Sequence, residues 1–322
     1  MTGKIRQKTG HKGTWLIAFL MVVLWIGCSS TPEKGDKDAA RKDKMMVTVS
    51  IMPQQYFVQR IAGERVVVNV MVPSSQSPDS YEPTPRQMQE LNRSQLYFRI
   101  GPLIFETVWI AGMAANNPNL KIIDTSVGTP LLHYEDKTYE TGAAGAMPQH
   151  EGHEHTGIDP HTWVSPTAVK VQIGHIKDAF IQLDPVNREL YETNYTTFAR
   201  EIDALHNELT GIFRDFSKRT FMVFHPAWGY FARDYNLIQL PIEVEGKTPG
   251  PATLKRVIDI ARKENIRFII VQQQSDTHNA EAVAADINGK VVALDPLELN
   301  WLENMKKIAR TFKEILNDPL KE

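Results

Sequence analysis

Between Leu190 and Phe216 the apolar residues recur at alternating steps of three and four, through Tyr191, Tyr195, Phe198, Ile202, Leu205, Leu209 and Ile212. That is the period of a helix with one buried stripe. Asp184-Pro185 supplies a start signal, so the spacing predicts one helix over Pro185–Ser217. At 1.5 Å per residue such a helix is about 50 Å long. Ser165-Pro166 opens another helix just before it, running through Leu183. A rod of this length in mid-chain either seeks a coiled-coil partner or ties together what lies on its two sides.

What lies on its two sides favours the tie. On the N-terminal side, strand-length apolar runs at Val47–Ile51, Val66–Val72, Leu96–Ile100 and Lys121–Thr125 alternate with helical stretches near Gln54–Ala62, Pro85–Arg93 and Ile104–Ala115. On the C-terminal side the runs are Phe221–His225, Ile238–Val244, Phe268–Val271 and Val291–Leu294. Helices near Ala227–Tyr235, Thr253–Glu264, Ala280–Ala285 and Asn300–Asn317 separate them. Such alternation implies parallel sheets covered by helices. The 322 residues exceed the usual size of a single domain. The expectation is an α/β fold of two lobes, each with a four-stranded, mostly parallel sheet flanked by helices, joined by one long rigid helix that limits hinge bending. The lobes fall at 46–184 and 218–322, the linking helix at 185–217, and no sequence repeat relates them.

The N-terminus has a different design. Lys4, Arg6, Lys8, His11 and Lys12 precede an apolar run from Trp15 to Gly27, which is short for a membrane-spanning helix. Residues 1–28 therefore read as a secretory signal peptide, with an uncleaved anchor as the alternative. Cys28, the only cysteine, closes the run, which excludes a disulfide within the chain and a thiolate metal site. Gly27-Cys28-Ser29 is similar to the cleavage box of bacterial lipoproteins, in which the cysteine carries the lipid. Residues 29–45 are charged and small, a flexible tether. The body is thus expected in the bacterial cell envelope, lipid-anchored, periplasmic or on the outer surface. A net charge of −2 with no basic stripe argues against a nucleic-acid partner, and a monomer is expected.

Gln149 to Pro166 reads QHEGHEHTGIDPHTWVSP and holds His150, His153, His155 and His161 among carboxylates. Imidazole at this density suits a divalent transition metal, and a borderline-soft ion such as Zn²⁺ takes both imidazole and carboxylate. An exported zinc hydrolase is the enzymatic alternative. Against it, the metalloprotease spacing needs a histidine at position 154, which is Glu154. The absence of a Gly-x-Ser-x-Gly segment removes one further hydrolase class.

In open α/β sheets, ligands collect outside the carboxyl ends of the strands. Four polar residues stand at such positions: Asp79 after the second strand, His161 after the fourth, His225 at the end of the fifth and Asp295 at the end of the eighth. Each lobe supplies two, which places a metal in the cleft between the lobes. Trp163, Trp228 and Tyr230 are candidates for the cleft wall. His133, His175, His206 and His278 lack partners at ligand spacing and read as structural or solvated.

The segments IAGERVVVNVMVP, SYEPTPRQ, DPHTWVSP, FHPAWGYFARDYNL, VEGKTPGPATL and ALDPL occur in that order over nearly all of the chain beyond the tether. In this the body resembles the ZnuA/TroA-like family of metal-binding lipoproteins, the solute-binding components of zinc and manganese ABC importers. The resemblance implies a non-enzymatic binding protein whose partners are a membrane permease and its ATPase. It makes His161 and His225 the second and third metal ligands and Asp295 the fourth. Asp79 stands where the family has its first histidine, in a segment like PHSYEP; a water or a histidine of the 150–155 loop is the alternative donor. Gln272-Gln273-Gln274 replaces a common Glu-Pro-Gln, which removes one carboxylate from that neighbourhood. A histidine as third ligand and a His-rich loop, with His150, His153 and His155 as metal collectors, are habits of the zinc branch. Manganese or iron as cargo and a surface adhesin with a metal site are the alternatives.

Overall fold

The computed structural model describes residues 44–133, 157–243, 250–274 and 278–317. Cys28 and the segment around it, most of the tether, and the loop histidines His150, His153 and His155 lie outside these residues. The described residues form one compact unit.

Four parallel strands make the N-terminal sheet: β1 (Met45–Val49), β2 (Val66–Val70), β3 (Leu96–Arg99) and β4 (Lys121–Asp124), in the order β2-β1-β3-β4. β5 (Thr220–Val223), β6 (Ile238–Pro241), β7 (Phe268–Val271) and β8 (Lys290–Ala293) make the second, in the equivalent order β6-β5-β7-β8. Between the strands run α1 (Met52–Ala62), α2 (Pro85–Asn92) and α3 (Ile104–Asn116) in the first lobe. α6 (Gly229–Asp234), α7 (Pro251–Lys263) and α8 (His278–Asp286) serve the second, and α9 (Trp301–Asn317) closes the chain. In the centre, α4 (Pro166–Leu183) leads into α5 (Arg188–Phe213). The expected two-lobed α/β architecture is therefore the observed one.

The second lobe repeats one device. Asn236, Asn265 and Asn288 adopt positive φ near 50° just past α6, α7 and α8. The following amide reaches back five residues each time: Leu237 to Ala232, Ile266 to Ala261 and Gly289 to Ala284, at 2.7–2.8 Å. A residue in the left-handed region with this bond ends a helix and turns the chain toward the next strand, and asparagine is the non-glycine residue that best tolerates it. β6, β7 and β8 thus begin from equivalent corners.

The long helix is shorter at both ends than its period suggests. Pro185–Asn187 forms a 3₁₀ turn, because Asp184 accepts from Asn187 Nδ2 at 2.8 Å and from the Tyr191 hydroxyl at 2.7 Å. At the other end Arg219 donates to the Phe213 and Arg214 carbonyls at 2.8 and 2.9 Å, satisfying groups that a longer helix would have bonded itself. The 26 residues that remain span about 39 Å.

The apolar stripe of α5 is consumed inside the chain. Phe198 packs against Phe57 of α1 and Trp301 of α9, with centroids 6.3 and 6.5 Å apart. Four turns further on, Phe213 meets Phe231 and Phe312 edge-on at 5.5 and 6.4 Å. Arg60 clamps Glu201 through both terminal guanidinium nitrogens at 2.8 Å, fixing α1 along the helix. One hydrophobic core therefore runs from Val47 and Phe98 through Phe198 and Leu209 to Phe221 and Phe312, while a smaller one covers the other face of the second sheet. Burying each such ring contributes about 2–3 kcal/mol. α5 acts as a spine shared by both lobes.

Candidate metal centre

In each parallel sheet the strand order reverses between its first and third strands, which opens a crevice beyond their carboxyl ends. The two lobes use that crevice differently. In the first, the fully buried Glu106 plugs it, accepting from the Ile100 and Gly101 amides at 2.7 and 2.8 Å and from the Ser50 hydroxyl. Burial pushes its carboxyl up to about 7, although these donors pull the other way. Gly101 has φ +114°, and a Cβ there would lie 2.5 Å from Ser126 Oγ, so only glycine fits. In the second lobe the crevice is lined instead by His225, two residues past β5, and Gln274, three past β7.

Three of the four candidate donors converge. Single donor atoms of Asp79, His161 and His225 all lie within 4.8 Å of one another. His225 Nε2 is 3.3 Å from His161 Nε2 and 3.4 Å from Asp79 Oδ2. A tetrahedral ion with bonds of 2.0–2.1 Å spaces its ligands at edges of about 3.3 Å, which the two separations at His225 Nε2 match. The loop carrying Asp79 is fixed by its own sequence. Thr84 and Gln87 form a reciprocal cap at the start of α2, and the Tyr81 hydroxyl donates to Gln87 Oε1. Gln87 Nε2 in turn donates to the carbonyls of Val70 and Met71 at the end of β2.

Each imidazole has an anion behind it. His161 Nδ1 lies 2.7 Å from Asp159 Oδ1, which also accepts the His161 amide at 3.0 Å. His225 Nδ1 lies 2.9 Å from Glu243 Oε2. Such partners hold the proton on Nδ1 and turn the Nε2 lone pair toward the centre. For His225, burial lowers the proton affinity, but the Glu243 hydrogen bond and the charges of Asp79, Glu243 and Asp159 outweigh it, and the net shift is upward.

Asp295 is not part of the three-donor cluster. Its Oδ1 accepts from the Leu297 amide at 2.8 Å and from Gln274 Nε2 at 3.3 Å, and its carbonyl from Asn304 at 2.7 Å. Burial pushes its carboxyl up, against the pull of Leu297 and Gln274.

The aromatic residues stand mostly behind the site. Trp163 tilts over His161 at 5.1 Å, donates to Pro296 O at 3.0 Å and receives Trp301 Nε1 on its own carbonyl at 2.7 Å. Tyr230 donates to Asp159 O at 2.8 Å and accepts the Leu132 amide. Trp228, expected on the cleft wall, is fully buried against Phe231 and Phe312 and belongs to the core. His175 bonds Val127 O and His206 bonds the Tyr235 hydroxyl, both away from the cluster. Sequence reading missed Asp159 and Glu243 as partners. Asp159 lies two residues before a candidate ligand, a spacing visible in the sequence, whereas Glu243 is an acid just past the strand next to β5 and needs the strand order to be found.

Two parallel-sheet lobes on a shared helical spine, with imidazole and carboxylate donors meeting between them, define a solute-binding protein for a metal ion. The comparisons with known proteins agree. The model of the family described as ZnuA, zinc-uptake complex component A, periplasmic, matches residues 47–315, and the chain belongs to that family. The High-affinity zinc uptake system protein ZnuA of Bacillus subtilis is 26% identical over 94% of this chain and 97% of its own length. The manganese ABC transporter substrate-binding lipoprotein PsaA of Streptococcus anginosus is 25% identical over 87% of this chain and 88% of its own. A crystal structure of ZnuA superimposes with a TM-score of 0.76 at 40% identity, over 85% of this chain and all of that one. The family acts as the extracytoplasmic binding component of zinc and manganese ABC importers and not as an enzyme. Among the described residues no helix is long and apolar enough to cross a membrane.

Proposed function

We propose that this protein captures zinc in the cleft and hands it to an ABC-type permease driven by its ATPase. His161, His225, Asp79 and Asp295 are the ligands in this reading. The observation that carries it is the 3.3 Å separation of the two Nε2 atoms, each with a carboxylate behind its Nδ1. Two imidazoles and few oxygens favour zinc over manganese, which takes six oxygen-rich donors. The names of relatives support both metals, since one is a zinc-uptake protein and another a manganese-binding lipoprotein. Lipid on Cys28 holds the body at the membrane, and His150, His153 and His155 collect metal and pass it inward. Binding displaces protons from the histidines and makes or breaks no bond in the cargo.

Elemental analysis of protein purified without added metal, followed by competition among zinc, manganese and iron, tests the reading. Zinc should dominate both measurements. A preference for manganese would move the chain to the other branch of the family, and failure to bind any of the three would end the transport reading.

A further inference from the structure

Gln274 joins the lobes beside Asp295. Its Nε2 donates to Ser74 O, in the loop that carries Asp79, and to Asp295 Oδ1 at 3.3 Å. Both partners are acceptors, so the amide can face them only with its nitrogen. A carboxylate oxygen offers two lone pairs. On Asp295 Oδ1 the Leu297 amide takes one and Gln274 takes the other. Among the described residues that oxygen carries both donors, which leaves Oδ2 as the oxygen Asp295 can turn to an ion.

We propose that Gln274 is a specificity-determining residue: by occupying one oxygen of Asp295 it restricts that aspartate to a single-oxygen ligand and so biases the cleft toward zinc over manganese. The proposal rests on the capture function above and names what tunes it. With one oxygen from Asp295, the set of Asp79, His161, His225 and Asp295 is four-coordinate, the number zinc adopts. With two, the site gains an oxygen and a fifth position, a step toward the oxygen-rich shell that suits manganese. Because the same amide holds Ser74, it also keeps the Asp79 loop in register with Asp295.

The test measures zinc and manganese dissociation constants for the wild-type chain, Gln274→Ala, Gln274→Met, Asp295→Ala and the Gln274→Ala/Asp295→Ala pair. Zinc is followed by competition with a chromogenic chelator and manganese by calorimetry. Both single Gln274 variants should lower the zinc-to-manganese preference by about tenfold, in the range seen when a group supporting a metal ligand is removed. In the Asp295→Ala background, Gln274→Ala should leave the preference where Asp295→Ala alone puts it. Methionine keeps the length of glutamine without its donor, so agreement of the two variants excludes a packing effect. Equal weakening of both metals, an unchanged ratio, or a ratio change that persists without Asp295 would each overturn the proposal. A wild-type chain that binds neither metal sinks the capture reading as well, which is a different result from intact binding with an unmoved ratio.

Discussion

Glu243 accepts a hydrogen bond from His225 Nδ1 across 2.9 Å, from two residues beyond the neighbouring strand. Asp159 does the same for His161 from two residues away in the chain. One orienting anion is local and the other is brought by the sheet, yet both direct the opposite ring nitrogen to the same point. Glu243→Gln keeps an acceptor there and removes the charge. Zinc affinity should fall by about 10–100-fold. Chelator competition at constant pH checks it, and an unchanged dissociation constant would remove Glu243 from the function.

His225→Ala should cost more, lowering zinc affinity by orders of magnitude, because it deletes a donor along with the contact between Glu243 and the site. Asp79→Ala should weaken binding less, since a water can take the place of a half-buried carboxylate. If Asp79→Ala matches wild type, the fourth position is filled otherwise, by water or by a histidine of the 150–155 loop.

Proton competition fixes the pH dependence. The folded, metal-free His225 is raised above its ordinary value near 6.5, after burial has been outweighed by Glu243 and Asp79. The site therefore carries a proton to higher pH than a free imidazole, and zinc must expel it. Affinity should fall as pH drops, with the decline starting above 6.5. Calorimetry in two buffers of different ionisation enthalpy should register proton release near neutrality, and no release would contradict this arrangement. For the metal-free protein alone, the same raised value gives a stabilising contribution that is full below 6.5 and fades as pH rises through the folded value.

Glu106 makes a separate prediction about stability. Its carboxyl is raised by burial to about 7, so the folded state binds a proton that the unfolded chain has already lost. Stability should decline as pH rises from about 4.5 to about 7, by about 3 kcal/mol. Glu106→Gln cannot titrate and should flatten that part of the curve, while lowering stability throughout because its amide nitrogen would face a backbone N–H. Denaturant midpoints between pH 4 and 8 read both effects. Identical slopes in the two proteins would assign the titration to another group.

Deleting Gln149 to Thr156 should spare tight zinc binding by the purified protein and slow uptake at low metal. Loss of tight binding on deletion would place that segment in the primary site.

The sheets were legible because their strands are short runs such as FIIV, covered on both faces and set apart by strong helix starts. The length of α5 was overread, since the apolar period continues to Phe216 and nothing in that period signals that Arg219 will bond the carbonyls of Phe213 and Arg214. Asp79, His161 and His225 could be nominated from their places after strand ends, which the parallel topology brings to one edge. Their partners were harder. Glu243 depends on which strand lies beside β5, and the order β6-β5-β7-β8 is not written in any local pattern. The bond from Gln274 to Ser74 joins positions 200 apart in the chain, and neither residue type announces it. Trp228 was misplaced because an aromatic next to a ligand reads equally well as lining or as core.

The core that runs unbroken along α5 has a consequence for unloading. Two halves that share one aromatic core resist opening like a clamshell, so in the proposed transport role an ion would leave by local yielding at the rim, where Gln274 reaches across to Ser74. A permease acting in that way would need to prise only a few surface turns, and how long an ion stays would become a property of individual side chains at that rim.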